Sequence, residues 1–274
     1  MLNYKKLVRR YFKIDKLVKE RAETILRQHH FDQIGNTKPE DIFVAGFPKS
    51  GNTWMQNLLT GIILNSTSER ISPQIVSEIV PDVHAKHYYK RLFNSMIFKT
   101  HDLPKKEYRR VIHLVRDGRD AMVSYYKMEK SRDPSYSNTL EAMVLDGKGV
   151  YPTKWHLHTR EWIKNPFEAE LIIVKYEDLL NNPISTLQRI SKFIEIEITD
   201  NDVMKIYNSN SIEILRKKVV KYGWDYQNKY KGTSTSESFF RKGMIGNYKT
   251  EMPSDLITKF NEEAFKELEH FGYL

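Results

Sequence analysis

With 274 residues, 40% hydrophobic and 29% charged, the chain has the length and composition of one well-filled soluble domain. No apolar run approaches a membrane span, the basic N-terminus has no apolar core like that of a secretory signal, and zero cysteines exclude disulfides and thiolate metal sites and fit a cytoplasmic location. The net charge of +9 suggests an anionic partner, but residues 1–30 hold nine Lys and Arg against three acids, leaving +3 for the rest, which argues against nucleic acid.

Leu7, Tyr11, Ile14 and Val18 recur at helical spacing, and Ala22, Ile25 and Leu26 continue the pattern. They predict a basic amphipathic helical extension over residues 1–35 of a single 1–274 domain. A helix docked on the body is favoured over one lying on a membrane surface or a partner. Residues 35–41, GNTKPED, read as a turn.

Strands and helices then alternate. IFVAGF (Ile42 to Phe47) is a fully apolar strand, and Trp54, Met55, Leu58, Leu59, Ile62 and Ile63 form one helix face. MIFKTHD from Met96, RVIHLVRD from Arg110 and ELIIVKYED from Glu170 predict three more strands. Helical patterns surround 120–128, 155–163, 187–194 and 256–268. The alternation implies right-handed crossovers and an α/β fold, a three-layer αβα with a central, mostly parallel sheet carrying a phosphate-binding loop.

Ligands of such sheets bind beyond the carboxyl ends of the strands. GFPKSGNTW, Gly46 to Trp54, stands there: two glycines five apart lead straight into a helix start, which suits a phosphate. The nucleoside-triphosphate loop would carry Lys and then Ser or Thr after its second glycine. Here Asn52 and Thr53 follow Gly51, while Lys49 lies inside the loop. An ATP or GTP site and a ligand-free glycine turn both remain open on this loop alone.

FPKSGNTW resembles the 5′-phosphosulfate loop of the PAPS-dependent sulfotransferases of cytosolic type, usually written with Thr where Asn52 stands. Four further segments are similar to that family in its order: FKTHDLP (Phe98 to Pro104), VRDGRDAMVSYY (Val115 to Tyr126), VKYEDLLNNP (Val174 to Pro183) and FFRKGMIGNYK (Phe239 to Lys249). Together they cover about residues 40–270. The resemblance implies a P-loop-like sulfotransferase fold and transfer of a sulfuryl group from PAPS to a hydroxyl or amine of a small-molecule acceptor. Such transfer releases adenosine 3′,5′-bisphosphate and requires no metal.

Carried over residue by residue, the resemblance makes His101 the general base, Lys49 the leaving-group stabiliser and Lys99 a second charge at the sulfuryl group. Ser50, Gly51, Asn52 and Thr53 would hold the 5′-phosphosulfate. Arg116 and Ser124 would converge on the 3′-phosphate, with Arg241, Lys242 and Gly243 closing over it. Trp54 and Tyr176 would pack on or bond to the adenine, with Ser211 nearby. Asp117 and Asp120 receive no role, and His113, in mid-strand, reads as structural. His84 and His87 read equally as acceptor mouth or as solvated loop.

The chain departs from the family at Ile212, where an adenine-stacking Phe is usual, and at GNYK (Gly246 to Lys249), where Gly-Asp-Trp-Lys is usual. After Lys249 the family's short dimerisation motif is not recognisable, so the oligomeric state is left open. Tyr226 to Thr235 reads as a flap ordered by nucleotide. Acceptor walls are expected from 82–93, 127–136 and 151–158, a mixture of aromatic and polar residues that admits phenols, alcohols, sugars or specialised natural products. The alternative activity is that of a P-loop kinase acting on a nucleoside or metabolite.

Overall fold

The computed structural model describes residues 18, 20–133, 135–222 and 243–274. The expectations for Leu7, Tyr11 and Ile14, for the flap at 226–235, and for Arg241 and Lys242 lie outside those residues. Residues 20–28 are helical. They lead into strand β1 (Phe31–Gln33), which pairs antiparallel with β3 (Tyr88–Lys90) beside the main sheet.

The main sheet consists of β2 (Ile42–Gly46), β4 (Ile97–Thr100), β5 (Arg110–Val115) and β6 (Glu170–Lys175). All its pairings are parallel, in the order β4-β2-β5-β6. Side chains alternate across it, as the two-residue period of a strand requires. Ile42, Val44, Ile97, Ile112, Leu114 and Val174 enter one core. Phe43, Ala45, Phe98 and Val111 enter a second, and Val115 a third. Apolar residues on both faces mean that helices must cover both, which is the three-layer arrangement the alternation predicts.

One face is packed by α1 (Asn52–Leu64), α2 (Pro73–Ile79), α6 (Tyr176–Asn181), α7 (Pro183–Phe193) and α8 (Asp200–Ser209). The other is packed by α3 (Gly118–Arg132), α4 (Leu140–Asp146), α5 (Trp155–Lys164), α11 (Ser254–Glu263) and α12 (Phe265–His270). Leu215 and Val219 of α9 (Ile212–Tyr222) pack against Trp54, and the single turn α10 (Tyr248–Glu251) joins the second group through Tyr248. The continuous helix expected over 256–268 is instead two, meeting at Ala264, whose side chain is fully buried. No Gly or Pro marks that break, so tertiary packing sets it.

The strands end earlier than their apolar patterns. β4 stops at Thr100, β5 at Val115 and β6 at Lys175. His101, Arg116 and Tyr176 are therefore the first residues past three of the four strand ends, all on the sheet's carboxyl rim. The segment at Asp82 forms a parallel bridge with Lys99, bringing Asp82 and His84 to the same rim.

Candidate functional site

The loop from Phe47 to Gly51 turns sharply into α1. Lys49 has φ 72° and Gly51 φ 96°, both left-handed. Only glycine is free of strain there, and a Cβ on Gly51 would stand 2.8 Å from the Tyr176 ring. Lys49 carries strain that a loop without a task would shed. Gly51 caps α1 without any side-chain hydrogen bond, so the first-turn amides keep their partial positive charge open to an anion. Asn52 is used inside the loop, its Nδ2 donating to Phe47 O at 2.9 Å.

Arg116 is where the rim segments meet. Its Nη1 donates to Lys49 O at 3.3 Å and its Nη2 to Met244 O at 3.0 Å. The guanidinium carbon lies 4.4 Å from the centre of the Tyr176 ring, a cation–π distance. Tyr176 in turn meets Trp54 edge-on at 5.5 Å. Gly243, with φ 64°, lies so close to Ile212 that an ideal Cβ would be 1.8 Å from its Cδ1. Four of the five motif segments therefore converge on one cation and one aromatic ring. Ser124 is buried two helical turns beyond Arg116, while Ser211 accepts from Ile214 N–H at the head of α9.

The fifth segment supplies His101. Its Nδ1 lies 2.8 Å from Gly46 O, an oxygen that can only accept, so Nδ1 carries the proton and Nε2 the free lone pair. Burial of the ring and the charge of Lys99 pull its pKa down to about 3, so the imidazole is neutral at physiological pH. Lys99 Nζ donates to Asp82 Oδ2 at 2.7 Å, and both side chains are buried. Burial alone would raise Asp82, but the charge of Lys99 and the bond from it hold the carboxyl below the usual carboxylate range.

Ser50 Oγ, Trp54 Nε1 and Arg116 Nε are all buried and have no hydrogen-bond partner among the described residues. Buried polar groups are seldom left so, and three in one rim site are what a polar, anionic ligand would satisfy. With the strained lysine and the open helix start, these residues fit a phosphate-bearing nucleotide.

A family model described as the sulfotransferase domain matches residues 39–272. The chain belongs to the sulfotransferase domain family. Sulfotransferase 1 family member D1 of Mus musculus is 25% identical over 262 residues, covering 88% of either chain. The amine sulfotransferase of Oryctolagus cuniculus is 24% identical over 250 residues, covering 85% of this chain and 82% of its own. Among solved structures, retinol dehydratase in complex with androsterone and the inactive cofactor PAP matches with TM-score 0.63 at 17% identity, covering 85% of this chain and 81% of that one. Mouse sulfotransferase SULT7A1 complexed with PAP matches with TM-score 0.58 at 21% identity, covering 85% of each chain. At those identities the structures establish a shared fold.

The sulfotransferase rim also contains groups that the motifs did not assign. Asp102 accepts from Tyr151 at 2.7 Å, Tyr108 at 2.8 Å and Lys105 at 2.5 Å. Burial would raise its pKa, but these bonds bring it down to about 2. His84 stacks on His101 at 5.8 Å with planes 10° apart, and its Nε2 accepts the His101 backbone N–H at 3.1 Å. Glu177 accepts from the Asp117 backbone and from Tyr273, and burial raises its pKa despite the Tyr273 bond. Polar residues beside known motifs were the available signal, but one sequence cannot show which of them turn inward. Among the described residues no helix is long and apolar enough to cross a membrane.

Proposed function

We propose that the protein transfers a sulfuryl group from 3′-phosphoadenosine 5′-phosphosulfate to a hydroxyl or amine of a small-molecule acceptor. The observation that carries this reading is Arg116, which bonds at once to the Lys49 loop and the Gly243 loop while lying on Tyr176. A nucleotide with phosphates at two separate ribose positions needs such a cation beyond the helix-capped loop. A triphosphate does not.

When bound, that nucleotide supplies the sulfuryl group and departs as the 3′,5′-bisphosphate. Lys49, Ser50, Thr53 and the open amides of α1 would hold its 5′ end, Arg116 with Ser124 its 3′-phosphate, and Trp54 with Tyr176 its base. Asn52 contributes by bracing the loop and through its backbone. His101 Nε2 takes the acceptor proton, and Asp82, near Lys99 and His101, offsets the charge that then appears on the ring. Lys99 and Lys49 oppose the negative charge that grows as the sulfuryl bond breaks. Arg241, Lys242 and Gly243 are read as closing over the 3′-phosphate. The similarity to a retinol dehydratase that holds androsterone and to an amine sulfotransferase supports a small organic acceptor, and the cytoplasm fits such a nucleotide-dependent enzyme.

The test is calorimetric titration with adenosine 3′,5′-bisphosphate and with ATP·Mg, followed by an acceptor screen with the phosphosulfate donor in EDTA and mass detection. Preference for the bisphosphate and product carrying an added sulfuryl group are expected. Preference for ATP·Mg, with phosphorylated product, would establish the kinase reading instead.

A further inference from the structure

Asp120 lies one helical turn beyond Arg116 on α3, and its carboxylate is fully buried. Its Oδ2 accepts the backbone N–H of Gly246 at 2.8 Å and its Oδ1 that of Tyr248 at 2.9 Å. The same Oδ2 stands 3.6 Å from Arg116 Nη2. A buried carboxylate is tolerated only where charge and hydrogen bonds replace water, and here all its satisfied partners belong to the loop and the cation of the nucleotide site. Arg116 closes the circuit by donating to Met244 O of that loop.

From this geometry we infer that Asp120 is a positioning residue for recognition of the 3′-phosphate. It fixes the loop from Gly243 to Tyr248 and the Arg116 guanidinium to one another, so that both face the phosphate together. The inference rests on the nucleotide reading above and deepens it. It also accounts for GNYK in place of the usual Gly-Asp-Trp-Lys: Asp120 grips backbone N–H groups, so the side chains at positions 247 and 248 are free to differ. Tyr248 uses that freedom to lie 4.2 Å under the Arg119 guanidinium.

Asp120→Asn keeps the shape but presents an NH₂ to one of the two backbone donors and removes the charge beside Arg116. Affinities of the full-length wild type, Asp120→Asn, Arg116→Ala and the double variant would be measured for adenosine 3′,5′-bisphosphate and adenosine 5′-monophosphate. The expected result is a loss of about tenfold or more for the bisphosphate in Asp120→Asn, with the monophosphate changed less than about twofold. The double variant should be no weaker than Arg116→Ala, because the two residues act as a unit. Equal loss for both nucleotides, or fully additive loss in the double variant, would reduce Asp120 to a structural group and overturn the inference.

Should Asp120→Asn not fold, hydrogen exchange on the wild type decides. Amides 246 and 248 should gain more protection from the bisphosphate than from the monophosphate, and equal protection would overturn the inference. A wild type that binds both nucleotides equally overturns the nucleotide reading and this inference with it, whereas a discriminating wild type with an unaffected Asp120→Asn overturns the inference alone.

Discussion

Gly46 and His101 stand at the carboxyl ends of neighbouring parallel strands, and the 2.8 Å contact from His101 Nδ1 to Gly46 O fixes which nitrogen of the ring is basic. The backbone of the phosphate loop thus sets the tautomer of the proposed base. His101→Ala is expected to lower turnover by about 10²- to 10⁴-fold, the usual contribution of a placed general base. Bisphosphate affinity should stay within a few-fold, since the ring bonds Gly46 O and none of the groups proposed to hold the phosphates. Wild-type turnover in this variant would remove His101 from the mechanism.

Four histidines are held neutral. Burial lowers His101 to about 3 and His158 to about 4, puts His113 well below its ordinary value, and lowers His156 as well. The unfolded chain takes up these protons near pH 6.5, so between that pH and the folded values it binds more protons than the native state. Stability contributed by the neutral rings is therefore complete above pH 6.5 and is lost as pH falls. The loss at pH 5 should be of order 1–2 kcal/mol for each fully buried ring, measured by urea unfolding at pH 7.5 and 5. His158→Phe, filling the same space without titrating, should flatten part of the slope. An unchanged slope would mean that His158 is charged in the fold.

Gly243 answers to both its conformation and its neighbour. Ala at φ 64° carries strain of about 1–3 kcal/mol, and its Cβ meets Ile212 Cδ1. Gly243→Ala should weaken bisphosphate binding by tenfold or more. Adding Ile212→Val, which deletes that very Cδ1, should restore part of the loss, and titration of single and double variants checks it. No recovery would mean that the clash is not what matters.

Much of this was legible in the sequence because alternation of apolar runs and helical patterns is a local property. β2, β4, β5, β6 and α1 all carry it, and the order of the motifs placed their ends on one rim. What escaped was long-range and polar. Asp120 reaches Gly246 and Tyr248 across more than a hundred residues, and nothing in RDGRDAM says that its second aspartate turns inward. The same holds for Asp82, whose partner Lys99 lies on a strand it joins through a single bridge. The break at Ala264 was equally hidden, because a buried alanine suits a continuous helix as well as a corner. The early strand ends follow from a conflict: the apolar runs favour extension up to Arg116 and Tyr176, but Arg116 lies in the connection to α3 and Tyr176 already begins α6.

The Asp82–Lys99 pair supplies the last test. Both side chains are under 10% exposed, and the two are joined at 2.7 Å beside the proposed base. Removing one partner of a buried pair costs about 3–5 kcal/mol, because the other charge is left in a poor solvent. Asp82→Ala should lose stability on that scale. It should also lower turnover, since the carboxylate that favours a charged His101 is gone. Lys99→Met in the same chain should recover stability without recovering turnover, because methionine fills the space but opposes no negative charge. That divergence between unfolding in urea and sulfuryl transfer separates what the pair does for the fold from what it does for the reaction. If both properties return together, neither charge of the pair has a part in the chemistry.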